Sequence, residues 1–350
     1  MDDKTGAQAQ MLFNRLQKRF RHLKKWAHRQ KIGAFRLYDR DIPEIPLVLD
    51  FYGDCSRPNE AALSGALYKR PYEKDDAEEN IWLSAMRESA AAALGINPCS
   101  VFLKRRQKQK GLSQYEKTGE SHYVKIVSEG DLVFKVNLSD YLDTGLFPDR
   151  RLMRAMVRRE ASGKKVLNLF SYTGSFSVYA AAGGAVCADS VDLSNTYLYW
   201  AKENFSLNGF SAEIQVLNLN TDLQKVLKSE YKENCINRLI RADAFDFISK
   251  AEKSRLQWDI IIVDPPAFSN SKKMICNFDL KRDIASLLEK CLKVLTPEGK
   301  LFLSVNTRRF SHDKFEYPDV RITNLDKKIT DEDFTGRKTP QGFLLEKPFI

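Results

Sequence analysis

At 350 residues the chain is long enough for two domains, or for one large and one small. An apolar fraction of 43%, with 21 Phe and 13 Tyr, supports a sizeable core and excludes a disordered protein. The 56 Lys and Arg outnumber the 46 Asp and Glu, and the net charge of +10 favours an anionic partner, nucleic acid ahead of a membrane or an acidic protein.

No apolar run approaches a membrane span, and the opening MDDKTGAQAQ has no apolar signal core, so a cytoplasmic protein is expected. The cysteines (Cys55, Cys99, Cys187, Cys235, Cys276, Cys291) are scattered without a close pair. Buried free thiols are expected, not a disulfide framework or a zinc site. With only His22, His28, His122 and His312, a His-rich metal centre is not expected.

From Ala9 to Gln30 apolar residues fall at helical spacing: Leu12, Leu16, Phe20, Leu23 and Ala27. Arg15, Lys18, Arg19, Arg21, Lys24 and Lys25 fill the other faces, which could grip RNA or simply be solvated; for any single residue the pattern favours the solvated role. Leu47–Tyr52 reads as a strand, Tyr72–Leu94 contains a helix ending at Gly95, and Ser100–Leu103 is a second strand. That strand runs into KRRQKQKGLSQYEK, where Lys104, Arg105, Arg106, Lys108 and Lys110 gather near Tyr115 with no acid before Glu116. Phosphates attract such a cluster, and an aromatic ring can stack on a base. Val124–Val127 and Leu132–Asn137 read as a strand pair closing a smaller N-terminal α+β domain over residues 1–139, expected to bind RNA.

Over residues 140–350 the texture changes to alternating strand and helix, the signature of a doubly wound α/β sheet. Strands are expected at Val166–Phe170, Val186–Val191, Arg238–Arg241, Ile260–Val263 and Leu301–Val305, and further ones at Val320–Leu325 and Phe343–Leu345. Helices are expected at Ser175–Ala182, Asn195–Leu207 (with Ser194 as N-cap), Ala244–Ala251 and Asp279–Leu295. Ala212–Asn237 is polar and unpatterned and reads as a surface insertion.

Ligands of such sheets bind beyond the carboxyl ends of the strands. The first strand leads into NLFSYTGSFS, where Asn168, Phe170, Ser171, Tyr172, Thr173, Gly174 and Ser175 surround a single turn glycine. This is not the three-glycine dinucleotide fingerprint, and it suits a smaller group such as the amino-acid part of S-adenosylmethionine. The second strand ends in Asp192, followed by Leu193 and Ser194; an acid about 20 residues past the glycine turn can accept from a ribose diol. The third ends in Asp243 and Ala244, where the acid could accept from an adenine amino group or simply cap the next helix. The fourth ends in Asp264-Pro265-Pro266-Ala267-Phe268. Two prolines make a stiff extended ledge whose carbonyls and carboxylate can face a base edge, with Phe268 as a stacking face.

D/N-P-P followed by an aromatic resembles the fourth motif of class I methyltransferases that act on nucleic-acid bases. NRLQKRFRHLKKWA, RLYDRDIPE, RQKQKGLSQYEKTGE, VNLSDYLDTGLFPDRR, LNLFSYTGS, VDLSNTYLYWAKENFSLNG and DPPAFSNSKKM together resemble the K-type domain of the bacterial RlmK/L family of 23S ribosomal RNA guanine-N7 methyltransferases. The resemblance implies a class I methyltransferase (Rossmann-like) sheet, S-adenosyl-L-methionine as donor, and 23S ribosomal RNA or a large-subunit precursor as partner. It implies also that Asp149 and Arg151, in DTGLFPDRR, stand beside the cofactor. Asp264, Pro265, Pro266 and Phe268 are then expected to position the base, because N7 carries a lone pair and no proton has to be removed. Cytosine-C5 methylation would need a cysteine thiolate that DPPAF does not contain, the nearest following one being Cys276. Adenine-N6 methylation fits D-P-P-aromatic alone, and a non-catalytic rRNA-binding assembly factor is the alternative from another class.

Overall fold

The computed structural model describes residues 3–70, 75–105, 122–217, 223–227, 236–266, 268–269, 278–306, 317, 319–337 and 339–348. The chain divides into two compact units, Met1–Pro148 with Glu332–Arg337, and Asp149–Asp331 with Lys338–Ile350.

The first unit begins with α1 (Asp3–Arg29), followed by β1 (Ala34–Asp39), β2 (Leu47–Tyr52) and β3 (Ala62–Leu67). Then come α2 (Asp76–Leu94), β4 (Val101–Arg105), β5 (Val124–Glu129) and β6 (Leu132–Asn137). Helix α1 buries Leu12, Leu16, Phe20, Leu23 and Ala27, the residues at spacing of three and four. Asp75 caps α2 by accepting from the amides of Ala77 and Glu78, and Gly95 ends it at φ +70, a conformation that costs glycine little. The sheet order is β1-β2-β3-β4, antiparallel except for β3 and β4, which run parallel across the α2 crossover. β5 and β6 form a separate antiparallel pair.

This unit extends beyond Ser139 to Pro148. The Asn137 amide donates to the Thr144 carbonyl at 3.0 Å, and the hydroxyls of Tyr52 and Thr144 lie 2.8 Å apart. The return segment Glu332–Arg337 is stitched in by Asp333, fully buried, which accepts from the Arg36 amide at 2.9 Å. Arg337 pairs with Asp41 at 3.2 Å.

In the second unit come α3 (Arg151–Glu160), β7 (Lys165–Leu169), α4 (Ser175–Ala182), β8 (Cys187–Asp192) and α5 (Asn195–Leu207). Next are β9 (Glu213–Val216), α6 (Leu223–Leu227), β10 (Ile236–Arg241), α7 (Ala244–Lys253), β11 (Trp258–Val263), β12 (Phe268–Ser269), β13 (Phe278–Asp279) and α8 (Leu280–Lys293). The last elements are β14 (Leu295–Val305), β15 (Arg321–Asn324), α9 (Asp326–Ile329) and β16 (Gln341–Glu346). The large sheet has the order β15-β16-β14-β11-β7-β8-β10-β9. It is parallel from β14 to β9, with β16 antiparallel between β14 and β15.

Strand β11 shows why a continuous aliphatic run suits a sheet covered on both faces. Ile261 and Val263 pack into the cluster built with α7 and α8, while Ile260 and Ile262 pack into the one built with α3 and α4. The segment read as an insertion, Ala212–Asn237, instead contributes α6 and the edge strand β9, paired in parallel with β10. Its half-exposed edge residues carry little apolar signal.

A buried ion pair ties β8 to β10. Arg238 lies directly across from Asp189 and donates to it through Nε at 2.6 Å and Nη2 at 3.1 Å. Trp258 Nε1 gives the same carboxylate a third bond at 2.8 Å, and Arg238 Nη1 reaches the Leu227 carbonyl at 3.0 Å. Asp189→Asn strands the guanidinium without its counter-charge and is expected to cost about 3–5 kcal/mol. Denaturant unfolding of the two proteins checks this, and an unchanged midpoint would show the pair to be dispensable.

Candidate active site

The strands diverge in order at β7, which has β8 on one side and β11 on the other. Ligands of open α/β sheets bind at such a switch point, beyond the carboxyl ends. Three segments follow these strand ends: residues 170–175 after β7, Asp192 at the end of β8, and Asp264 after β11.

The loop after β7 is strained. Phe170 and Tyr172 adopt φ +57 and +50, and Gly174 follows at +73. Positive φ at bulky aromatics costs on the order of 1–3 kcal/mol each and persists only where the surroundings enforce it. They do so here. The Ser171 amide donates to Val191 O at 3.0 Å, the Gly174 amide to Ser171 O at 2.8 Å, and Asn204 Nδ2 to Thr173 O at 2.9 Å. Tyr172 packs edge-on against Tyr197 with centroids 4.5 Å apart. A Cβ on Gly174 would stand 2.9 Å from the Ala201 Cβ, so both backbone angle and space call for glycine. The N-cap of α4 is Gly174, which has no side chain to cap the helix, and a helix N-terminus of this kind suits a ligand's carboxylate. Ser171 Oγ is buried without a hydrogen-bond partner among the described residues, an open polar group in the same loop.

Asp192 joins this loop to the next. Its Oδ2 accepts from the Tyr172 amide and its Oδ1 from the Ser194 amide, each at 2.9 Å. Each carboxylate oxygen keeps lone-pair capacity for a ribose hydroxyl. Burial pushes the Asp192 carboxyl up to about 6, against the opposing bonds from Ser194, Tyr172 and Leu193. Ser194 also caps α5 by accepting from the Tyr197 amide. Asp243 caps α7 through Oδ1, which accepts from Phe245 at 2.9 Å and Asp246 at 3.1 Å. Its carboxyl is raised by burial, and the cap leaves Oδ2 for a second acceptor role. Beside it Phe245, Phe278 and Phe170 form an aromatic wall, with centroid separations of 6.0 Å and 5.4 Å about Phe278. A nucleoside base can lie against such a surface.

Asp264 is clamped. Arg150 Nε donates to its Oδ2 at 3.1 Å, and Nη2 to its Oδ1 at 3.0 Å. The same guanidinium pairs with Asp149 through Nη1 at 2.9 Å. Burial alone would lower the Arg150 pKa, but Asp149 and Asp264 more than reverse that and raise it. The Asp149-Arg150-Asp264 cluster thus carries one net negative charge, and Asp149 Oδ1 is buried with no partner among the described residues. Pro265 is buried and Pro266 half-buried behind it. The Phe268 backbone pairs with Asp279, while its ring lies outside the described residues.

Three sequence expectations change. Asn168 does not face the loop after β7: it is 2% exposed, and its Nδ2 donates to Ser177 Oγ at 2.9 Å. An inward-facing strand position puts it beneath α4. Arg151 turns to Asp331 at 2.7 Å, and its neighbour Arg150 takes the place on Asp264. Lys104 and Arg105 are not free phosphate-binding cations. Lys104 Nζ donates to the Tyr141 carbonyl, and burial pushes it down to about 8 against Asp143 and Asp140. Arg105 pairs with Asp76 and donates to Asn80 Oδ1 at 2.7 Å. Arg106, Lys108, Lys110 and Tyr115 lie outside the described residues. Arg150, Phe245 and Phe278 were not read from the sequence; the adjacent arginines of DRR were the one available signal for the first.

The strand order with its inserted antiparallel β16, the strained loop and the strand-end acids Asp192 and Asp243 define a class I, nucleoside-cofactor-dependent methyltransferase. The chain belongs to the S-adenosylmethionine-dependent methyltransferases, whose family model matches residues 62–321. It is 42% identical to the ribosomal RNA large subunit methyltransferase K of Neisseria meningitidis, over 93% of this chain and 84% of that protein. It is 40% identical to the ribosomal RNA large subunit methyltransferase K/L of Hahella chejuensis, over 96% of this chain but only 41% of that longer protein. A SAM-dependent methyltransferase structure from Streptococcus mutans shares the fold at TM-score 0.69 and 22% identity, over 97% of this chain and 81% of that one.

The site suits S-adenosylmethionine: the loop around Ser171 would hold its amino-acid part, Asp192 would accept from the ribose, and Asp243 with the aromatic wall would take the adenine. Asp192→Ala is expected to weaken cofactor binding by about 1.5–3 kcal/mol, since a charge-assisted acceptor is lost. In wild type, affinity should hold above pH 7 and fall as pH drops through about 6, where Asp192 takes up a proton. Titration calorimetry from pH 5 to 8 checks both. A step that survives in Asp192→Asn would assign it to another group. Arg150→Gln should leave cofactor affinity unchanged but lower kcat by about 100-fold through a misplaced Asp264. Arg150→Lys should not rescue it, having no planar two-donor face.

Proposed function

We propose that this methyltransferase acts in the cytoplasm on N7 of a guanosine in 23S ribosomal RNA, free or in a large-subunit precursor. The ribosomal RNA part rests on the names of the Neisseria and Hahella relatives, and the guanine-N7 part on the family resemblance of the motifs. The observation that carries the chemistry is Arg150 on Asp264. S-adenosylmethionine supplies a methyl group activated by its sulfonium. N7 offers a lone pair and has no proton to lose, so the protein has only to align the base and exclude water. A carboxylate already held by a guanidinium suits a fixed acceptor for a base edge better than a proton shuttle. The Asp149-Arg150-Asp264 cluster, formally one negative charge, would favour the positive charge that an N7-methylated purine acquires.

Cysteine chemistry is a poorer fit. In the second unit Cys187 and Cys291 are buried, and burial raises the Cys291 thiol far from thiolate formation, while Cys276, the cysteine that follows the ledge in sequence, lies outside the described residues. The stiff Asp264-Pro265-Pro266 ledge is assigned to base positioning, and RNA binding to the N-terminal unit.

Nucleoside mass spectrometry of ribosomal RNA from cells with and without the protein tests the reading. Loss of 7-methylguanosine from 23S rRNA is the expected result. An unchanged level with loss of N6-methyladenosine or 5-methylcytidine would replace the acceptor, and no change in any methylated base would favour an assembly factor.

A further inference from the structure

Two groups stand out among the basic side chains of α1. Arg15 pairs with Asp41 at 2.6 Å, Arg19 donates to the Asp333 carbonyl at 3.3 Å, and His22 lies 2.9 Å from Glu332. Lys18, Arg21, Lys24, Lys25 and Arg29 are exposed, and none forms an ion pair among the described residues. Lys18, Arg21, Lys25 and Arg29 follow at steps of three, four and four, so they share one face. At 3.6 residues per turn that face stands opposite the buried Leu12-Leu16-Phe20-Leu23-Ala27 stripe, and it runs for about 16 Å.

Folding does not account for this arrangement. The helix contains one acid, Asp3, near its far end, so the exposed cations repel their neighbours at i+3 and i+4 with no acid of the helix itself between them. The helix dipole favours Arg29 in the last turn but not Lys18 or Arg21, which lie beyond its reach. A protein partner is a poor match, because interfaces have an apolar core and are depleted in lysine. No large apolar residue is exposed between Lys18 and Arg29. A row of about one cation per turn with nothing apolar between them is suited to a row of phosphates.

We propose that the Lys18-Arg21-Lys25-Arg29 face of α1 holds the sugar–phosphate backbone of the substrate RNA, a role that rests on the reading of this enzyme as an rRNA methyltransferase. The contact is independent of sequence and supplies affinity, while the base is chosen elsewhere.

The test is a variant carrying Lys18→Gln, Arg21→Gln and Lys25→Gln, all on an exposed face. Its binding to protein-free 23S rRNA transcript is measured from 50 to 200 mM salt, beside steady-state methylation. Expected are a salt slope shallower by about 2–3 and an affinity at least roughly tenfold lower. KM for RNA should rise with kcat and cofactor affinity unchanged. An unmoved slope and affinity would overturn the proposal. So would rRNA affinity held intact while co-sedimentation with precursor particles falls, which would indicate an acidic protein partner. If the wild type forms no 7-methylguanosine but the variant still loses RNA affinity, the catalytic reading fails and the docking face stands. If the wild type forms it and the slope does not move, the reverse holds.

Discussion

Parallel pairing across β14, β11, β7, β8 and β10 brings the carboxyl ends of five strands to one edge of the sheet, and the residues that follow them gather there. The chemistry of the second unit depends on this constraint. Phe170–Ser175, Asp192, Asp243 and Asp264 are separated by up to about ninety residues of sequence, yet each leaves the sheet on the same side. The hydrophobic clusters on both faces supply the rigidity. Ile260–Val263 are locked into two cores at once, so Asp264 emerges from a strand that cannot rotate or slip without exposing aliphatic surface.

That rigidity lets polar groups at the edge be held in costly states. Asp192 is kept above the usual carboxylate range by burial, although backbone amides bind both of its oxygens. The Phe170 and Tyr172 backbones sit in left-handed conformations that their side chains disfavour, enforced by ties to β8 and α5. Asp264 is the contrasting case, a carboxylate fixed by a guanidinium whose other side is fixed by Asp149. The first two features suit the ligand cradle proposed above. The third would fix a direction, and the proposed N7 transfer, which demands alignment without proton removal, would need little more.

Much of this was legible in the chain. Alternation of strand and helix, the single-glycine turn, acids at strand ends and the DPP ledge each have a local signal. The helices Ser175–Ala182 and Asn195–Leu207 were read to the residue, because a glycine turn and a serine cap mark their starts. What was not legible depends on partners distant in sequence. Asp149 and two arginines stand together in DRR, and only the turn of the chain into α3 decides that Arg150 meets Asp264 while Arg151 meets Asp331. Lys104 and Arg105 read as free charge because Tyr141, Asp76 and Asn80 are 25 or more residues away. Asn168 read as a ligand because residue type alone does not say which side of a strand faces a helix. β9 was missed because an edge strand with half-exposed residues lacks the apolar run that marked β11.

The central claim is that the acceptor is a purine N7 lone pair, presented by a fixed carboxylate and requiring no base. The most direct measurement is transfer of labelled methyl from S-adenosylmethionine to two 23S rRNA transcripts, one with guanosine and one with 7-deazaguanosine throughout. The replacement keeps the Watson–Crick edge and removes only the nitrogen at position 7. Label on the guanosine transcript and none on the 7-deaza transcript is the expected result; equal label on both would contradict the claim.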